Sequence, residues 1–191
     1  MLKAFKEDAA RWVIPGQIAP QSQLTTGKIL SLLYNHMSLR AMLIWRFAAW
    51  CRQKRIPLMY GFLHRSMLVF FGLEICSAEK IGGGLYIAHP AGTVIQVESM
   101  GKKGSIIASV TVGMRNSWEF PVIGENVYIG AGARVLGNIT IGNDVIIGAN
   151  AVVIEDVPAG ATVVGIPGRV IKVNGEPVFE NPENLSASIR L

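Results

Sequence analysis

The chain has 191 residues, of which 50% are hydrophobic and 16% are charged, and its formal net charge is +5. This composition is too apolar for an intrinsically disordered protein, and two cysteines cannot form a disulfide framework. The sequence shows neither a signal-peptide pattern nor the run of roughly 20 apolar residues that a membrane-spanning helix needs. We therefore expect a cytoplasmic protein with one sizeable domain or two small ones.

Residues 1–73 form a basic, apolar region. They hold ten Lys/Arg and two acidic residues, whereas residues 74–191 hold eight basic and eleven acidic residues. The compositions of 27–56 and 58–73 predict two or three helices, with a break at Pro57. Three interpretations stay open for this region: a cap over the end of a repeat domain, peripheral contact with a membrane surface, and nucleic-acid binding. No recognisable motif supports nucleic-acid binding, so we expect no such partner.

From Ile123 the chain repeats in units of six residues: IGENVY, IGAGAR, VLGNIT, IGNDVI, IGANAV and VIEDVP. The first position of every unit is Ile or Val, and neither a helix nor a plain strand would keep this period. Segments 123–135 and 141–153 match at eight of thirteen positions, at an offset of eighteen residues. Three units per coil predict a triangular parallel β-solenoid whose stacked coils bury a continuous aliphatic core.

The repeat also marks the boundaries of the predicted solenoid, which we place at 74–173. Earlier units begin at Ile81, Ile87 and Thr93 and, after one extra residue, at Met100, Ile106 and Val112. The register breaks before Ile123, and this break predicts a protruding loop at 114–121, where function often resides. Residues 174–191 contain no such unit and are predicted to be a loose C-terminal tail.

Residues 74–173 resemble the hexapeptide-repeat acyltransferases, and their motifs resemble the serine acetyltransferase branch. The motifs are Gly72-Leu73-Glu74-Ile75, Ile81-Gly82-Gly83-Gly84-Leu85-Tyr86-Ile87-Ala88-His89, Ser109-Val110-Thr111-Val112-Gly113, Ile129-Gly130-Ala131-Gly132-Ala133 and Gly165-Ile166-Pro167. The resemblance implies a mainly β, left-handed parallel β-helix preceded by an α-helical region. It also implies a homotrimer with active sites between neighbouring solenoids, acetyl-CoA as the acyl donor and no metal.

His89 is the candidate general base. Imidazole can take a proton from an alcohol near neutral pH because its unperturbed pKa is about 6.5. The resemblance implies that His89 deprotonates the acceptor hydroxyl, which then attacks the thioester. It also implies that the carboxylate fifteen residues earlier, Glu74 in place of the family's Asp, orients the imidazole. From spacing alone, a structural His89 and a solvated Glu74 stay open.

The resemblance also implies the contacts of the acyl donor. Backbone amides of Gly113, Ala131 and Ala149 would face the thioester and the pantetheine arm, because small side chains let an N–H approach a carbonyl closely. Arg169 and Lys172 would pair with the phosphates of CoA. The repeat itself requires Gly and Ala, so a purely structural role for these small residues stays open.

The acceptor pocket departs from the family pattern. Ala88 stands where serine acetyltransferases have Asp, and Glu119-Phe120 stands where they have an Arg-His pair. Glu119 would repel a carboxylate at short range, whereas Trp118 and Phe120 suit a sugar ring. We therefore predict an O-acetyltransferase that acts on a carbohydrate, either a polysaccharide or a lipid-linked glycan precursor, as capsular and exopolysaccharide O-acetyltransferases do. Trp118, Glu119 and Phe120 would bind the acceptor. The alternative is a serine O-acetyltransferase of cysteine biosynthesis with an altered pocket.

Two other classes stay open. A zinc-dependent hydratase of the carbonic anhydrase type would need about three histidine ligands, and His89 is the one histidine in the solenoid sequence. A scaffold that only assembles with other solenoids would bind no CoA and cleave no thioester.

Overall fold

The computed structural model describes residues 2–13, 23–76 and 78–178. In these ranges a helical region precedes a parallel β-helix, which confirms the predicted fold class. The helices are α1 (Leu2–Ala10), α2 (Thr26–Asn35), α3 (Met37–Gln53) and α4 (Met59–Phe71). None of the helices in the described ranges is long and apolar enough to cross a membrane.

The helix ends follow local capping rules. The side chain of Thr25 accepts a hydrogen bond from the backbone N–H of Lys28 and begins α2. Gly72, with a φ of 62°, ends α4 in the left-handed conformation that glycine adopts without a steric penalty. Pro57 lies in the connection between α3 and α4. The sequence patterns did not indicate α1.

The solenoid consists of short strands separated by turns. The strands are β1 (Leu73–Ile75), β2 (Tyr86–His89), β3 (Thr93–Ile95), β4 (Ser99–Met100), β5 (Ser105–Ala108), β6 (Thr111–Gly113), β7 (Val122–Ile123), β8 (Tyr128–Ile129), β9 (Arg134–Leu136), β10 (Thr140–Ile141), β11 (Ile146–Ile147), β12 (Val152–Val153), β13 (Ala161–Val164), β14 (Arg169–Val173) and β15 (Glu176–Pro177). They form a five-stranded sheet (β1-β3-β6-β9-β12), a three-stranded sheet (β10-β7-β4) and a seven-stranded sheet (β15-β14-β13-β11-β8-β5-β2). These three sheets are the three faces of the triangle.

The pairing register shows how the coils are built. Ile123 pairs with Ile141, eighteen residues later, as the repeat predicts. Met100 pairs with Ile123, twenty-three residues later, because residues 114–121 leave the coil between β6 and β7. Pairing is parallel until β13, after which β14 and β15 pair antiparallel.

From Ile123 onward, the first and fifth positions of the six-residue units point into the core. On the seven-stranded sheet the first positions of the six-residue units stack in one column, and all of them are fully buried. This column contains Ile87, Ile106, Ile129 and Ile147. Because each coil covers the aliphatic side chains of the previous one, the core runs the length of the solenoid.

Helix α3 covers the first coil. Met42 and Trp45 belong to the same buried cluster as Leu73, Ile75 and Ile87 of the solenoid. The indole Nε1 of Trp45 donates a 2.7 Å hydrogen bond to the backbone oxygen of Cys76, beside the first strand. The end of the solenoid core is therefore shielded from water by α3.

A buried ion pair joins the helices to the solenoid. Asp8 of α1 is fully buried, and its Oδ2 lies 2.9 Å from Nε of Arg46 on α3. Its Oδ1 also accepts a 2.9 Å hydrogen bond from the backbone N–H of Leu85. Burial raises the pKa of the Asp8 carboxyl, and the charge of Arg46 opposes that rise. The Arg46 guanidinium also donates to the backbone oxygens of Ala78, Ile81 and Gly82.

The C-terminal end differs from the predicted loose tail. Strands β14 and β15 form a hairpin on the last coil, so residues 174–178 are ordered. The turn is Asn174-Gly175, with φ values of 51° and 86°, and an Asn-Gly pair is a strong hairpin signal that we overlooked. Residues 179–191, the remainder of the predicted tail, lie outside the described residues.

Candidate active site

His89 lies at the end of β2, at an edge of the solenoid, and its side chain is exposed. Its backbone pairs with Ala108 of the next coil, and its backbone oxygen accepts a 3.3 Å hydrogen bond from Oγ1 of Thr93. Within the described residues the imidazole forms no hydrogen bond. The exposed side chain is therefore open to a substrate hydroxyl that approaches this edge.

The predicted donor residues continue the same edge. The backbone oxygen of Ala108 accepts a 2.8 Å hydrogen bond from the N–H of Gly132, and that of Ala131 accepts one of 2.8 Å from Asn150. This register places Ala131 one coil beyond Ala108, and Ala149 one coil further. The N–H groups of Ala131 and Ala149 donate to no backbone oxygen in the part of the chain that the structure describes. A thioester lying along this edge would meet two available donors.

A groove of about 370 Å³ lies where loop 114–121 leaves the five-stranded sheet. Its lining includes Glu74, Gly113, Trp118 and Phe120, four of the predicted site residues, from separate parts of the sequence. It also includes Gln96, whose Nε2 donates a 3.3 Å hydrogen bond to Oε1 of Glu74. Sequence reasoning missed Gln96, because no motif marks it.

Glu74 and His89 lie on different faces of the solenoid. Glu74 is on β1 of the five-stranded sheet, and His89 is on β2 of the seven-stranded sheet. The turn after His89 joins these faces, and there the N–H of Gly92 donates a 3.0 Å hydrogen bond to the backbone oxygen of Gly72. No hydrogen bond links Glu74 to His89 among the described residues, and Gln96 contacts the carboxylate instead. The orienting role of Glu74 stays a prediction.

The three residues of loop 114–121 that are predicted to bind the acceptor differ in their position relative to the groove. Trp118 and Phe120 pack edge to face, with ring centroids 5.6 Å apart, and both line the groove. Glu119 is exposed, accepts a 2.7 Å hydrogen bond from Oγ of Ser117, and is not part of the groove lining. Glu119 therefore lies outside the groove that Trp118 and Phe120 line, and its contact with the acceptor stays a prediction.

The two residues that are predicted to contact the phosphates of CoA lie on the C-terminal hairpin, which follows the last parallel coil. Arg169 and Lys172 are exposed on β14, and Nη1 of Arg169 is 3.8 Å from Oε2 of Glu155. Lys172 pairs with Thr162 on the seven-stranded sheet, which also carries β2 with His89. These cations are therefore on the same sheet as the general-base candidate, at the opposite end.

The other two histidines are in the helical region. The ring of His36 packs on Trp12, with centroids 4.6 Å apart, and Nε2 of His64 lies 3.2 Å from the backbone oxygen of Ile75. Across residues 2–13, 23–76 and 78–178, no group of three His, Cys, Asp or Glu side chains is placed to hold a metal ion.

Fold and site together define a class of protein: a hexapeptide-repeat solenoid with an exposed imidazole and small-residue amides along one edge. A family model described as bacterial transferase hexapeptide (six repeats) matches residues 120–155. The serine acetyltransferase of Synechocystis sp. is 43% identical over 153 residues, which cover 78% of this chain and 61% of that relative. That of Staphylococcus aureus strain Mu50 is 46% identical over 110 residues, or 56% and 52% of the two chains.

Solved structures extend the match over most of the chain. The Neisseria gonorrhoeae serine acetyltransferase in complex with serine superposes with a TM-score of 0.72 at 31% identity, covering 90% of this chain and 69% of that one. The soybean serine acetyltransferase apoenzyme gives a TM-score of 0.73 at 33% identity, covering 88% and 68%. The chain belongs to the serine acetyltransferase family of hexapeptide-repeat transferases. It spans 61% and 62% of the lengths of two cyanobacterial relatives.

These relatives correct the predicted acceptor. The expectation of a carbohydrate O-acetyltransferase of the capsular or exopolysaccharide kind is wrong, because the matched proteins are serine acetyltransferases. The error came from the weight given to Ala88, which replaces the family's Asp, and to the three loop residues. Glu119 was assumed to face the acceptor, and Trp118 and Phe120 were interpreted as a platform for a sugar ring although each packs on the other.

Proposed function

We propose that the protein is a serine O-acetyltransferase, which transfers the acetyl group of acetyl-CoA to the hydroxyl of L-serine. One observation carries the proposal: a serine acetyltransferase whose structure contains serine aligns with 90% of this chain at 31% identity. The position of His89 at the end of β2 supports it, because an exposed imidazole at this edge of the solenoid can reach a substrate hydroxyl.

His89 is the general base of the proposed reaction. Its neutral imidazole takes the proton of the serine hydroxyl as the oxygen attacks the thioester carbonyl carbon. The carbon–sulfur bond then breaks, and the CoA sulfur leaves with the proton that the imidazolium returns. The products are O-acetyl-L-serine and CoA with a free thiol. Since the base recovers its starting state, one histidine is sufficient for the proton transfers.

Backbone amides would stabilise the charge that develops on the thioester oxygen. The N–H groups of Ala131 and Ala149 are available for this task, and donors aimed at a developing oxyanion contribute strongly to catalysis. Gly113 lines the groove beside Glu74. There the absence of a side chain lets the pantetheine arm approach the backbone.

Glu74 would orient the imidazole of His89. Its carboxylate is held by Gln96 in this structure, and catalytic hydrogen bonds are often long or poorly aligned in the free enzyme and tighten only in the complex. Arg169 and Lys172 would pair with the phosphates of CoA. The proposed assembly is a homotrimer, in which a neighbouring solenoid closes the groove and the edge that carries His89.

Thiol release from acetyl-CoA tests the proposal with purified protein. The acceptors are L-serine, ethanolamine, which lacks the carboxylate, and 3-hydroxypropionate, which lacks the amine. We expect saturable release with L-serine and much slower release with both analogues, because a serine site recognises both charged groups. Equal or faster release with an acceptor that lacks either group, or no serine-dependent release, would overturn the proposal.

A further inference from the structure

Helix α4 and the residue before it expose an apolar stripe. Leu58 is 91% exposed, Phe62 69% and Val69 75%. Phe62, Arg65 and Val69 follow a spacing of three and four residues, which places them on one side of the helix. Leu58 directly precedes α4 in a left-handed conformation, with a φ of 60°. Isolated exposed apolar residues are ordinary, but an exposed stripe along two turns of one helix indicates a contact surface.

The stripe faces away from the body of the protein. Met67 is fully buried and belongs to the same cluster as Leu73 and Ile75 of the first coil. The opposite side of α4 therefore packs on the solenoid and leaves the side with Phe62 and Val69 to the surroundings.

The segment of the chain that contains this stripe carries charge of one sign. Residues 23–73 contain seven Lys/Arg and no acidic residue. Arg46 and Arg52 are paired with acidic side chains, whereas Lys54, Arg55 and Arg65 are exposed and form no ion pair within the described residues. Arg65 belongs to the stripe itself, and Lys54 and Arg55 lie in the connection that joins α3 to α4. An exposed apolar stripe that carries a cation and follows a basic connection is complementary to a surface that is both apolar and anionic.

We propose that the α4 face, defined as Lys54, Arg55, Leu58, Phe62, Arg65 and Val69, docks on an anionic phospholipid bilayer. The apolar side chains enter the headgroup region and the cations meet lipid phosphates, as in other interfacial helices. A second copy that presents the same face is the less favoured occupant, because two such faces would bring like charges together. This proposal is independent of the acceptor that the enzyme uses.

Vesicle co-sedimentation tests the contribution of the apolar side chains to membrane binding. The protein is mixed with vesicles of phosphatidylglycerol and phosphatidylcholine, or of phosphatidylcholine alone, at low salt. We expect binding to the anionic vesicles only, and a loss of about tenfold in the double variant Phe62→Ser, Val69→Ser. The matched control is Ile166→Ser, Val178→Ser, which removes two exposed aliphatic side chains, 74% and 48% exposed, from the solenoid end. The control is expected to bind as the wild type does.

A second pair of variants tests the charge. The test variant carries two substitutions in the helical region, Lys54→Gln and Arg65→Gln. The control variant carries Lys102→Gln and Lys103→Gln, which change the net charge equally but at exposed positions on the solenoid. We expect the first pair to weaken vesicle binding by about tenfold or more, and the control to weaken it much less. Equal loss in both pairs, or wild type that leaves anionic vesicles unbound, would overturn the proposal. So would a particle mass in solution that falls in Phe62→Ser, Val69→Ser, which would assign the α4 face to contact between copies.

Discussion

The solenoid and the helical region are held together in different ways. In the solenoid each coil repeats the same aliphatic positions and the same backbone pairing, so that Ile106, Ile129 and Ile147 have nearly equivalent surroundings. Among the described residues of the helical region, no contact recurs at a fixed spacing. Its attachment combines α3 over the first coil, Met67 of α4 and the buried ion pair between Asp8 and Arg46. The repeat distributes stability over many similar sites, whereas the helical region concentrates it in a few dissimilar ones.

The largest effect on stability should come from breaking the buried pair. Asp8→Ala leaves the Arg46 guanidinium buried without its partner and leaves the N–H of Leu85 without its acceptor. We expect a loss of about 3–5 kcal/mol in the free energy of unfolding, measured by urea denaturation. The matched control is Glu79→Ala, which removes the partner of Arg52 from a pair that is largely exposed. It should cost at most about 1 kcal/mol. Equal losses of stability in the two variants would contradict the view that a few contacts attach the helical region to the solenoid.

A smaller effect is expected from one site in the repeat. Ile123 is buried between Met100 and Ile141 of the neighbouring coils. We expect Ile123→Ala to cost about 2–4 kcal/mol, because the adjoining coils can relax only partly into the space. Val122, the preceding residue of β7, is 37% exposed, and Val122→Ala should change stability by about 0.5 kcal/mol or less. A large cost at Val122 would show that its face is covered in the assembled protein.

The smallest expected effect concerns the two cysteine thiols, which lie near the contact between the helical region and the solenoid. Cys51 is fully buried on α3, and burial raises the pKa of the Cys76 thiol. Since the thiolate is the reactive form, we expect both to react with an aromatic disulfide reagent far more slowly than free cysteine at neutral pH. Denaturant should restore full reactivity. Fast reaction of Cys76 in the native protein would mean that the junction opens readily.

The same contrast explains what the sequence predicted. A period of six residues with an aliphatic first position describes the geometry of one strand and one turn. Because the same unit recurs many times, the sequence determines the register of the coils. It therefore predicted the parallel coils, the eighteen-residue spacing between Ile123 and Ile141, and the broken register at 114–121. The helical region offers no repeat, so α1 and the contact between Asp8 and Arg46 could not be predicted. That contact depends on how distant segments pack.

The candidate site was predicted in part for a similar reason. Motifs in fixed order identified His89 and the small residues Ala131 and Ala149, whose positions the repeat determines. The direction in which Glu119 points, and the hydrogen bond from Gln96 to Glu74, depend on a loop and on side-chain packing. No spacing encodes these features, and the wrong acceptor prediction depended in part on the direction that we assumed for Glu119.

Direct detection of O-acetyl-L-serine is the most direct test of the account. The wild type, His89→Ala and the control His36→Ala, which changes a histidine of the helical region, are incubated with acetyl-CoA and L-serine, and the product is quantified by mass spectrometry. We predict product from the wild type and from His36→Ala, and a fall of about 10²–10⁴-fold in kcat for His89→Ala. Product formation by His89→Ala at the wild-type rate would contradict the assignment of His89 as the base for acetyl transfer to serine.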